Sequence, residues 1–449
     1  MDKARETALK ALNEIETKEA YSNLVLKKVL RDTNLDGRDK AFVTELVYGT
    51  VTWKLTLDWV ISRFSKTRLN KLSVWVLLIL RLGVYQLLFL DRVPPSAACN
   101  TAVDLAKKYA KASSGFINAI LRNISRQKAQ IDLQHPQAGS LSGELSLQYS
   151  FPEYLVTEWI TEFGEAFTRQ LLKALVERPD FSVRVNTLKA TPQDVMNELT
   201  EAGIKADPGR FLPEALVLHG VTDISQLPVF NNGWLTVQDE SSMLAARILD
   251  PQPGERVLDV CAAPGGKTTH IAQLMQDQGQ ITAWDIHEHK TDLIRENAQR
   301  LGIHIIDARK RDAMESINDE AELYHRVLVD APCSGTGIIR RKPDIKWQRK
   351  QADFDSLVEV QRKILYNAGR AVALGGVLVY STCSMDEREN EQVVRSFLDA
   401  QAGFERTSLD DILPENLRSK HGTKDGMLKL YPHIDGTDGF FIARLKKKG

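Results

Sequence analysis

The sequence predicts a multidomain protein: an N-terminal all-α bundle, a small α+β unit, and a C-terminal α/β domain built on a doubly wound parallel sheet. Three observations predict it. Apolar residues at helical spacing, with no strand pattern among them, fill the chain to about residue 128. Strand-like runs alternate with helical stretches from Val257 onward. At the start of that second pattern, Val257 to Thr269 reads as a strand, a small-residue turn and a helix. A chain of 449 residues exceeds one ordinary core, in keeping with two or three domains.

The bundle is read first. Ala8, Ala11, Leu12 and Ile15 fall at i, i+3, i+4 and i+7, one apolar helix face. Leu26, Val29 and Leu30 continue the pattern, and Phe42, Leu46 and Val47 begin another helix. Leu72 to Leu90 is apolar nearly all round but is interrupted by Arg81, Gly83 and Gln86, so it reads as a central buried helix and not a membrane span. Asp91 to Pro95 ends it, and Ser113 or Ser114 is placed to cap a last helix carrying Ile117, Ile120 and Leu121. Net charge over the whole chain is zero, yet residues 1–130 hold 22 Lys and Arg against 12 Asp and Glu. An excess of +10 in the first third points to a polyanionic partner.

The polar stretch from Gln127 to Ser150, with His135-Pro136, reads as a linker, and the bundle is set at 1–128 and the linker at 129–150. Phe151-Pro152 restarts the order. Helical stretches through Leu175, a strand at Phe181–Asn186, a helix at Val195–Ala202 ended by Gly203, and a strand at Ala215–Leu218 make a small α+β unit at 151–230. Gly233 to Ser242 then leads into the α/β domain, 231–449.

In that domain the turn Cys261-Ala262-Ala263-Pro264-Gly265-Gly266-Lys267 follows a strand and opens a helix, which brings backbone N–H groups close to a ligand. A P-loop needs glycine where this chain has Cys261, and the dinucleotide G-x-G-x-x-G spacing is absent. Gln280–Asp285 is a second strand ending in an acid, at the separation where nucleotide folds place a ribose-binding carboxylate. Ile303–Ile306 is a third, followed by a basic loop and Asp312. Val327–Asp330 runs into Ala331-Pro332-Cys333-Ser334, and Gly375–Ser384 carries Ser381-Thr382-Cys383-Ser384. Leu430–His433 and Asp438–Arg444 read as antiparallel edge strands. The acids and both late cysteines sit at strand carboxyl ends, where doubly wound sheets bind ligands.

Asp259-Val-Cys-Ala-Ala-Pro-Gly-Gly-Lys-Thr268, Asp330-Ala-Pro-Cys-Ser334 and Ser381-Thr-Cys-Ser384 closely resemble the RNA cytosine-C5 methyltransferases of the Nop2/Sun family. Arg38–Gly49 and Gly115–Asn123 resemble the NusB-type RNA-binding domain that precedes the catalytic domain in its bacterial Sun/Fmu (RsmB) branch. The α+β unit resembles that branch's RRM-like subdomain. The resemblance therefore covers essentially the whole chain. It implies a Rossmann-like catalytic domain, S-adenosyl-L-methionine as cofactor and a cytosine in small-subunit (16S) ribosomal RNA as substrate, naked or in an assembly intermediate. Transfer RNA is the alternative substrate, and a non-catalytic RNA-binding assembly factor the alternative class.

Methylating cytosine at C5 requires a thiolate that adds to C6, because C5 is otherwise a poor nucleophile. Composition alone does not divide roles between the two late cysteines. By resemblance, Cys383 is the nucleophile, Cys333 assists proton removal and release, and Asp330 faces the ring and the methyl donor. Cofactor contacts fall on Cys261, Ala262, Ala263, Pro264, Gly265, Gly266, Lys267 and Asp330, with Asp285 on the ribose hydroxyls and Asp312 near the adenine. Asp307 rivals Asp312, since both follow the third strand; Arg311-Asp312-Ala313 is closer to the family motif. The basic loop Arg340–Lys350, with Trp347 among its cations, suits a nucleic-acid backbone and a stacked base. Four cysteines make no disulfide framework and no spacing fits zinc, so no metal is expected. The chain start lacks the apolar core of a signal peptide, and a reduced cytoplasmic setting, no membrane and a monomer are expected.

Overall fold

The computed structural model describes residues 2–221, 223–317, 320–418 and 422–449. It divides into two compact units: Met1–Glu177 with Ile339–Arg349, and Arg178–Ile338 with Lys350–Gly449.

The first unit is helical: α1 (Lys3–Lys18), α2 (Ser22–Arg31), α3 (Gly37–Thr52), α4 (Lys54–Phe64), α5 (Val74–Phe89), α6 (Pro95–Tyr109), α7 (Ser114–Arg126), α8 (Leu141–Tyr149), α9 (Glu153–Phe163) and α10 (Glu165–Val176). Asp2 caps α1 by accepting the Arg5 N–H, and the face Ala8, Ala11, Leu12, Ile15 is buried as its spacing predicts. The all-round apolar helix is α5, and its polar interruptions are internal partners. Arg81 makes a two-pronged pair with Asp58 at 2.7 Å, and Gln86 accepts from Arg5 Nε at 2.6 Å. No described helix is long and apolar enough to cross a membrane.

Two expectations fail here. Neither serine caps α7: Ser113 makes no cap bond and Ser114 Oγ donates to the Lys111 carbonyl, because a 3₁₀ turn at Lys111–Ser113 feeds straight into the helix. The stretch read as a linker contains α8, whose serine and glycine are cap and first-turn residues. Ser140 Oγ accepts the Gly143 N–H, Leu145 is fully buried, and the helix packs on α4 and α9.

In the second unit, β1 (Phe181–Val185), α11 (Pro192–Glu201), β2 (Ala206–Pro208), β3 (Ala215–Leu218), α12 (Pro228–Asn231) and β4 (Leu235–Val237) form an antiparallel sheet ordered β2-β3-β1-β4. Two of its strands are three residues long, too short to show alternation. The last lies beyond residue 230, so Leu235–Val237 completes the small sheet and does not open the large one.

The large sheet follows α13 (Glu240–Leu249): β5 (Arg256–Asp259), α14 (Gly266–Leu274), β6 (Gln280–Asp285), α15 (Glu288–Leu301), β7 (Ile306–Lys310) and β8 (Tyr324–Asp330). After α16 (Ile345–Gln348), which belongs to the helical unit, come α17 (Gln351–Ala371), β9 (Val372–Thr382), α18 (Glu391–Ala400), β10 (Phe404–Arg406), β11 (Met427–Leu430), α19 (Pro432–Asp435) and β12 (Phe440–Lys447). Strand order is β10-β12-β9-β8-β5-β6-β7, with β5 to β9 mutually parallel. Alternate residues serve opposite faces. Val257, Val377 and Val379 pack with α13 and α14, whereas Leu258, Leu378 and Tyr380 pack with α17 and α18. β12 is antiparallel to β9 but is not an edge, because β10 and β11 both pair with it.

The third parallel strand lies three residues later than its apolar signal. Ile303 belongs to the end of α15: past the left-handed Gly302 (φ 71°), its N–H bonds the Ala298 carbonyl. Asp307 is consequently inside β7, paired with Thr282 near the strand's amino end, and only Asp312 lies beyond it.

The basic segment after Cys333 is also placed differently. Ile339–Arg349 is part of the helical unit. Asp344 Oδ1 accepts the Ser22 N–H at the start of α2, Lys346 Nζ donates to the Thr52 carbonyl at 2.8 Å, and Trp347 Nε1 donates to the Val51 carbonyl at 2.7 Å. Lys346 is 1% exposed, with its ammonium 4.0 Å over the Phe151 ring, and burial pushes the amine well below the ordinary lysine range. Lys346 is therefore a packing residue and not a phosphate contact, and Trp347 is half-buried with its indole N–H committed to the Val51 carbonyl. Composition did not distinguish a buried cation satisfied by carbonyl and ring from a solvated one.

Candidate active site

The parallel strands are laid down outward from β5 through β6 to β7, after which β8 and β9 are added on the other side of β5. The order reverses between β5 and β8, and the crevice beyond their carboxyl ends is the binding position of such a sheet.

On one side lies the turn Cys261–Lys267. Gly265 takes φ 96° at the N-cap of α14, and a Cβ there would meet Ile294 Cα at 3.3 Å. The first N–H groups of α14 have no acceptor within the helix and carry its positive dipole end. Arg184, fully enclosed beneath the turn, steadies it by donating to the Gly266 carbonyl at 2.7 Å and Thr269 Oγ1 at 2.9 Å. Asp285 ends β6, and its Oδ1 accepts the His287 N–H at 3.1 Å. Asp312 lies past β7, and its Oδ1 accepts the Met314 N–H at 2.8 Å. Asp307 is turned instead to Arg309 Nε at 2.7 Å.

Asp259 ends β5 and is buried. Burial raises its carboxyl to about 7 despite the Thr268 hydroxyl donated to Oδ2 at 2.7 Å, and the Asp330 charge adds to the rise. Among the described residues its buried Oδ1 makes no hydrogen bond of normal geometry, although the Cys261 N–H lies close enough to the carboxyl to lower its pKa. An unfilled acceptor, a glycine turn at a helix N-terminus and carboxylates closing β6 and following β7 fit the ammonium, hydroxyl and amino groups of an aminoacyl-type nucleoside such as S-adenosylmethionine.

On the other side lie the reactive groups. Asp330 ends β8 and is held at both oxygens, by Lys267 Nζ at 2.6 Å and Ser381 Oγ at 2.9 Å. Three residues later stands Cys333, and Cys383 follows β9. Their Sγ atoms are 3.2 Å apart, and both side chains are only partly buried. The Cys333 thiol is pushed well above its ordinary value by its hydrogen bond to Cys383, by burial, and by the charges of Glu389 and Asp330. Either sulfur can be the donor in this contact. The loops that carry the sulfurs approach closely: a Cβ on Gly337 would lie 2.9 Å from the Cys383 carbonyl oxygen, and 2.0 Å from that of Gly439. Gly337 N–H bonds the Cys383 carbonyl at 2.9 Å.

The structure thus brings together Asp330, Lys267, Cys333 and Cys383, and sets Cys261, Asp285 and Asp312 along the same edge. Cys99 is in the bundle core at 2% exposure. Not foreseen were Ser381, Thr268 and Glu389. The first two lie within the quoted motifs, beside residues that were singled out, so neighbouring hydroxyls were the signal available.

Sheet order and glycine turn define a doubly wound fold with a ligand crevice at its switch point, and the relatives make the class a methyltransferase. They also specify the family. The profile for 16S rRNA methyltransferase RsmB/F matches residues 246–446, that of the NusB family residues 2–126, and that of the RsmF/B-like ferredoxin-like domain residues 151–225. The probable ribosomal RNA small subunit methyltransferase B of Bacillus subtilis (strain 168) is 41% identical over 451 residues, covering 99% of both chains. The ribosomal RNA small subunit methyltransferase B of Yersinia enterocolitica is 34% identical, covering 99% of this chain and 98% of that one. The crystal structure of PH0851 superposes with a TM-score of 0.84 at 28% identity, over 100% of this chain and 99% of that one. The chain belongs to the ribosomal RNA small subunit methyltransferase B family.

Proposed function

We propose that the protein transfers a methyl group from S-adenosyl-L-methionine to C5 of a cytosine in 16S ribosomal RNA, through a covalent bond between Cys383 and C6. The observation that carries this is the pair of partly exposed sulfurs 3.2 Å apart at the crevice, beside a carboxylate held by a lysine. The substrate class follows from the names of the full-length relatives.

Bound S-adenosylmethionine supplies an electrophilic methyl group. The turn Cys261–Lys267 and Asp259 hold its amino-acid end, Asp285 the ribose and Asp312 the adenine; the position of Asp307 within β7 favours Asp312 for that contact. Asp330 faces the cytosine ring, its charge kept in place by Lys267 and Ser381. Cys383 Sγ, as a thiolate that has lost its proton to solvent, adds to C6; the C5–C6 pair shifts toward C4 and the C4–N3 pair onto N3, so that C5 becomes an enamine-type carbon able to take the methyl group. Once C5 is methylated, Cys333 Sγ removes the C5 proton, the C5–C6 double bond re-forms and the Cys383 Sγ–C6 bond breaks. Cys333 acts in its thiolate form, its own proton having gone to solvent at the partly exposed crevice. In this reading residues 1–128 bind RNA and residues 231–449 carry the chemistry.

Bisulfite mapping of 16S RNA from cells with and without the gene tests the reading. A single cytosine whose protection depends on the gene is the expected result. Unchanged 16S RNA with a lost modification in transfer RNA would replace the substrate; no change in either would refute the activity.

A further inference from the structure

Glu389 is fully buried in the loop between Cys383 and α18, and neither the cofactor contacts nor the reaction described above uses it. Its carboxylate receives four donors from three different segments. Oε1 accepts the Ser334 N–H at 2.8 Å and Gln361 Nε2 at 2.9 Å. Oε2 accepts Ser334 Oγ and Ser384 Oγ, each at 2.5 Å. Ser334 adjoins Cys333 in sequence and Ser384 adjoins Cys383, so one carboxylate ties the residues next to both sulfurs. Gln361, from α17, also donates to the Pro332 carbonyl at 2.9 Å, closing the brace behind Cys333.

We infer that Glu389 is a positioning residue for the two-thiol reaction: it sets the distance between Cys333 and Cys383 and holds a negative charge behind Cys333. The inference rests on the proposed two-cysteine chemistry. A buried carboxylate is a poor way to add stability, since well-packed apolar replacements of buried ionic groups are often neutral or better. What four donors from three segments do supply is geometry, and two sulfurs on separate strand-end loops have no covalent link to fix their separation. The charge has a second effect. It opposes ionisation of Cys333.

Two substitutions separate these effects. Glu389→Ala removes the brace. Glu389→Gln keeps it connected, because the amide oxygen takes the Oε1 contacts and both serine hydroxyls turn to accept from the amide nitrogen, but it removes the charge. The measurements are turnover, S-adenosylmethionine affinity by calorimetry, and the pH dependence of adduct formation and decay on substrate RNA. Wild-type enzyme trapped on RNA containing 5-fluorocytosine, which has no C5 proton to lose, is the control; no trapped complex there would remove the two-cysteine reading itself. For Glu389→Ala, turnover is expected to fall about a hundredfold with cofactor affinity within about twofold, and adding Ser334→Ala and Ser384→Ala should cost little more, as expected of coupled groups. For Glu389→Gln, turnover is expected to fall about tenfold and adduct decay to reach its plateau at lower pH, because the Cys333 thiol ionises more easily without the charge. Normal turnover with an unmoved pH profile in Glu389→Gln would overturn the inference, as would parallel loss of cofactor affinity and turnover. Should Glu389→Ala fail to fold, Glu389→Gln and Ser384→Ala decide it.

Discussion

The two halves of the sheet's carboxyl edge are built differently. Around β5, β6 and β7, the two acids stand each on its own strand end, Asp285 and Asp312 accepting a backbone N–H two residues on, and the turn is steadied from beneath by Arg184 without a tie to either of them. Around β8 and β9, the groups are tied across the chain, Asp330 to Lys267 and Ser381, Cys333 to Cys383, and both thiol loops to Glu389. Binding a nucleoside needs several acceptors at fixed places, and a strand end supplies each independently. The proposed covalent chemistry needs two atoms in contact, which no single strand end provides. Losses in the first half should be separable and moderate, and losses in the second large and coupled.

The sharpest way to break that contrast is Cys383→Ala, expected to abolish both methyl transfer and covalent RNA adduct while leaving cofactor affinity unchanged. Methylation persisting in this variant would end the nucleophile assignment. Next comes Cys333→Ala, expected to allow attack and methyl transfer and then stall, so that a protein–RNA band accumulates on a denaturing gel and turnover falls by about 10²–10⁴. A shifted band with Cys383→Ala in its place would reverse the two roles.

In the other half, Asp285→Ala is expected to weaken S-adenosylmethionine by roughly ten- to a hundredfold, the worth of a charged hydrogen bond, with no change in the adduct trapped at saturating cofactor. Loss of trapping at saturation would show that the halves are coupled after all. Smaller still is the pH effect on the wild type. Because the Cys333 thiol is raised above its ordinary value, its basic form grows about tenfold per pH unit across the alkaline range below that raised value. Adduct decay in single turnover should follow that slope while adduct formation does not.

The mildest test concerns Asp259. Its carboxyl is raised in the fold to about 7 from 3.8, so the folded state binds the proton more tightly than the unfolded chain. The stability this gives is complete below about 3.8 and is lost as pH rises through about 7. Asp259→Asn should flatten the dependence of Tm on pH between those values and melt a few degrees higher at pH 8, since about 1 kcal/mol moves a domain of this size about 2–4 °C. Equal slopes in both proteins would mean that Asp259 is ionised throughout.

The contrast also explains what the sequence disclosed. The turn and the strand-end acids were legible because strand, glycine and helix are local patterns of ten or so residues. Cys333 and Cys383 stood out for the same reason, each in a serine-containing loop after an apolar run. Glu389 gave no signal: an acidic residue just before a helix reads as an exposed N-terminal charge, and only the tertiary fold brings Ser334 and Gln361 to it. Ile303 misled because an apolar residue closing a helix looks like one opening a strand. Lys346 and Trp347 misled because charge is the usual mark of a surface, and here the cation sits against a ring and a carbonyl.

That misreading bears on the order in which the molecule is made. Val51, Thr52 and Ser22 leave the ribosome long before Lys346, Trp347 and Asp344, their partners in the same unit. The helical unit is therefore complete only once the small sheet and strands β5 to β8 have been synthesised. Its last piece arrives directly behind the Cys333 loop. Neither unit is one uninterrupted stretch of chain, so a gene cut after the bundle does not yield two intact proteins: one product would lack an element, and the other would carry that element unseated, a few residues downstream of Cys333.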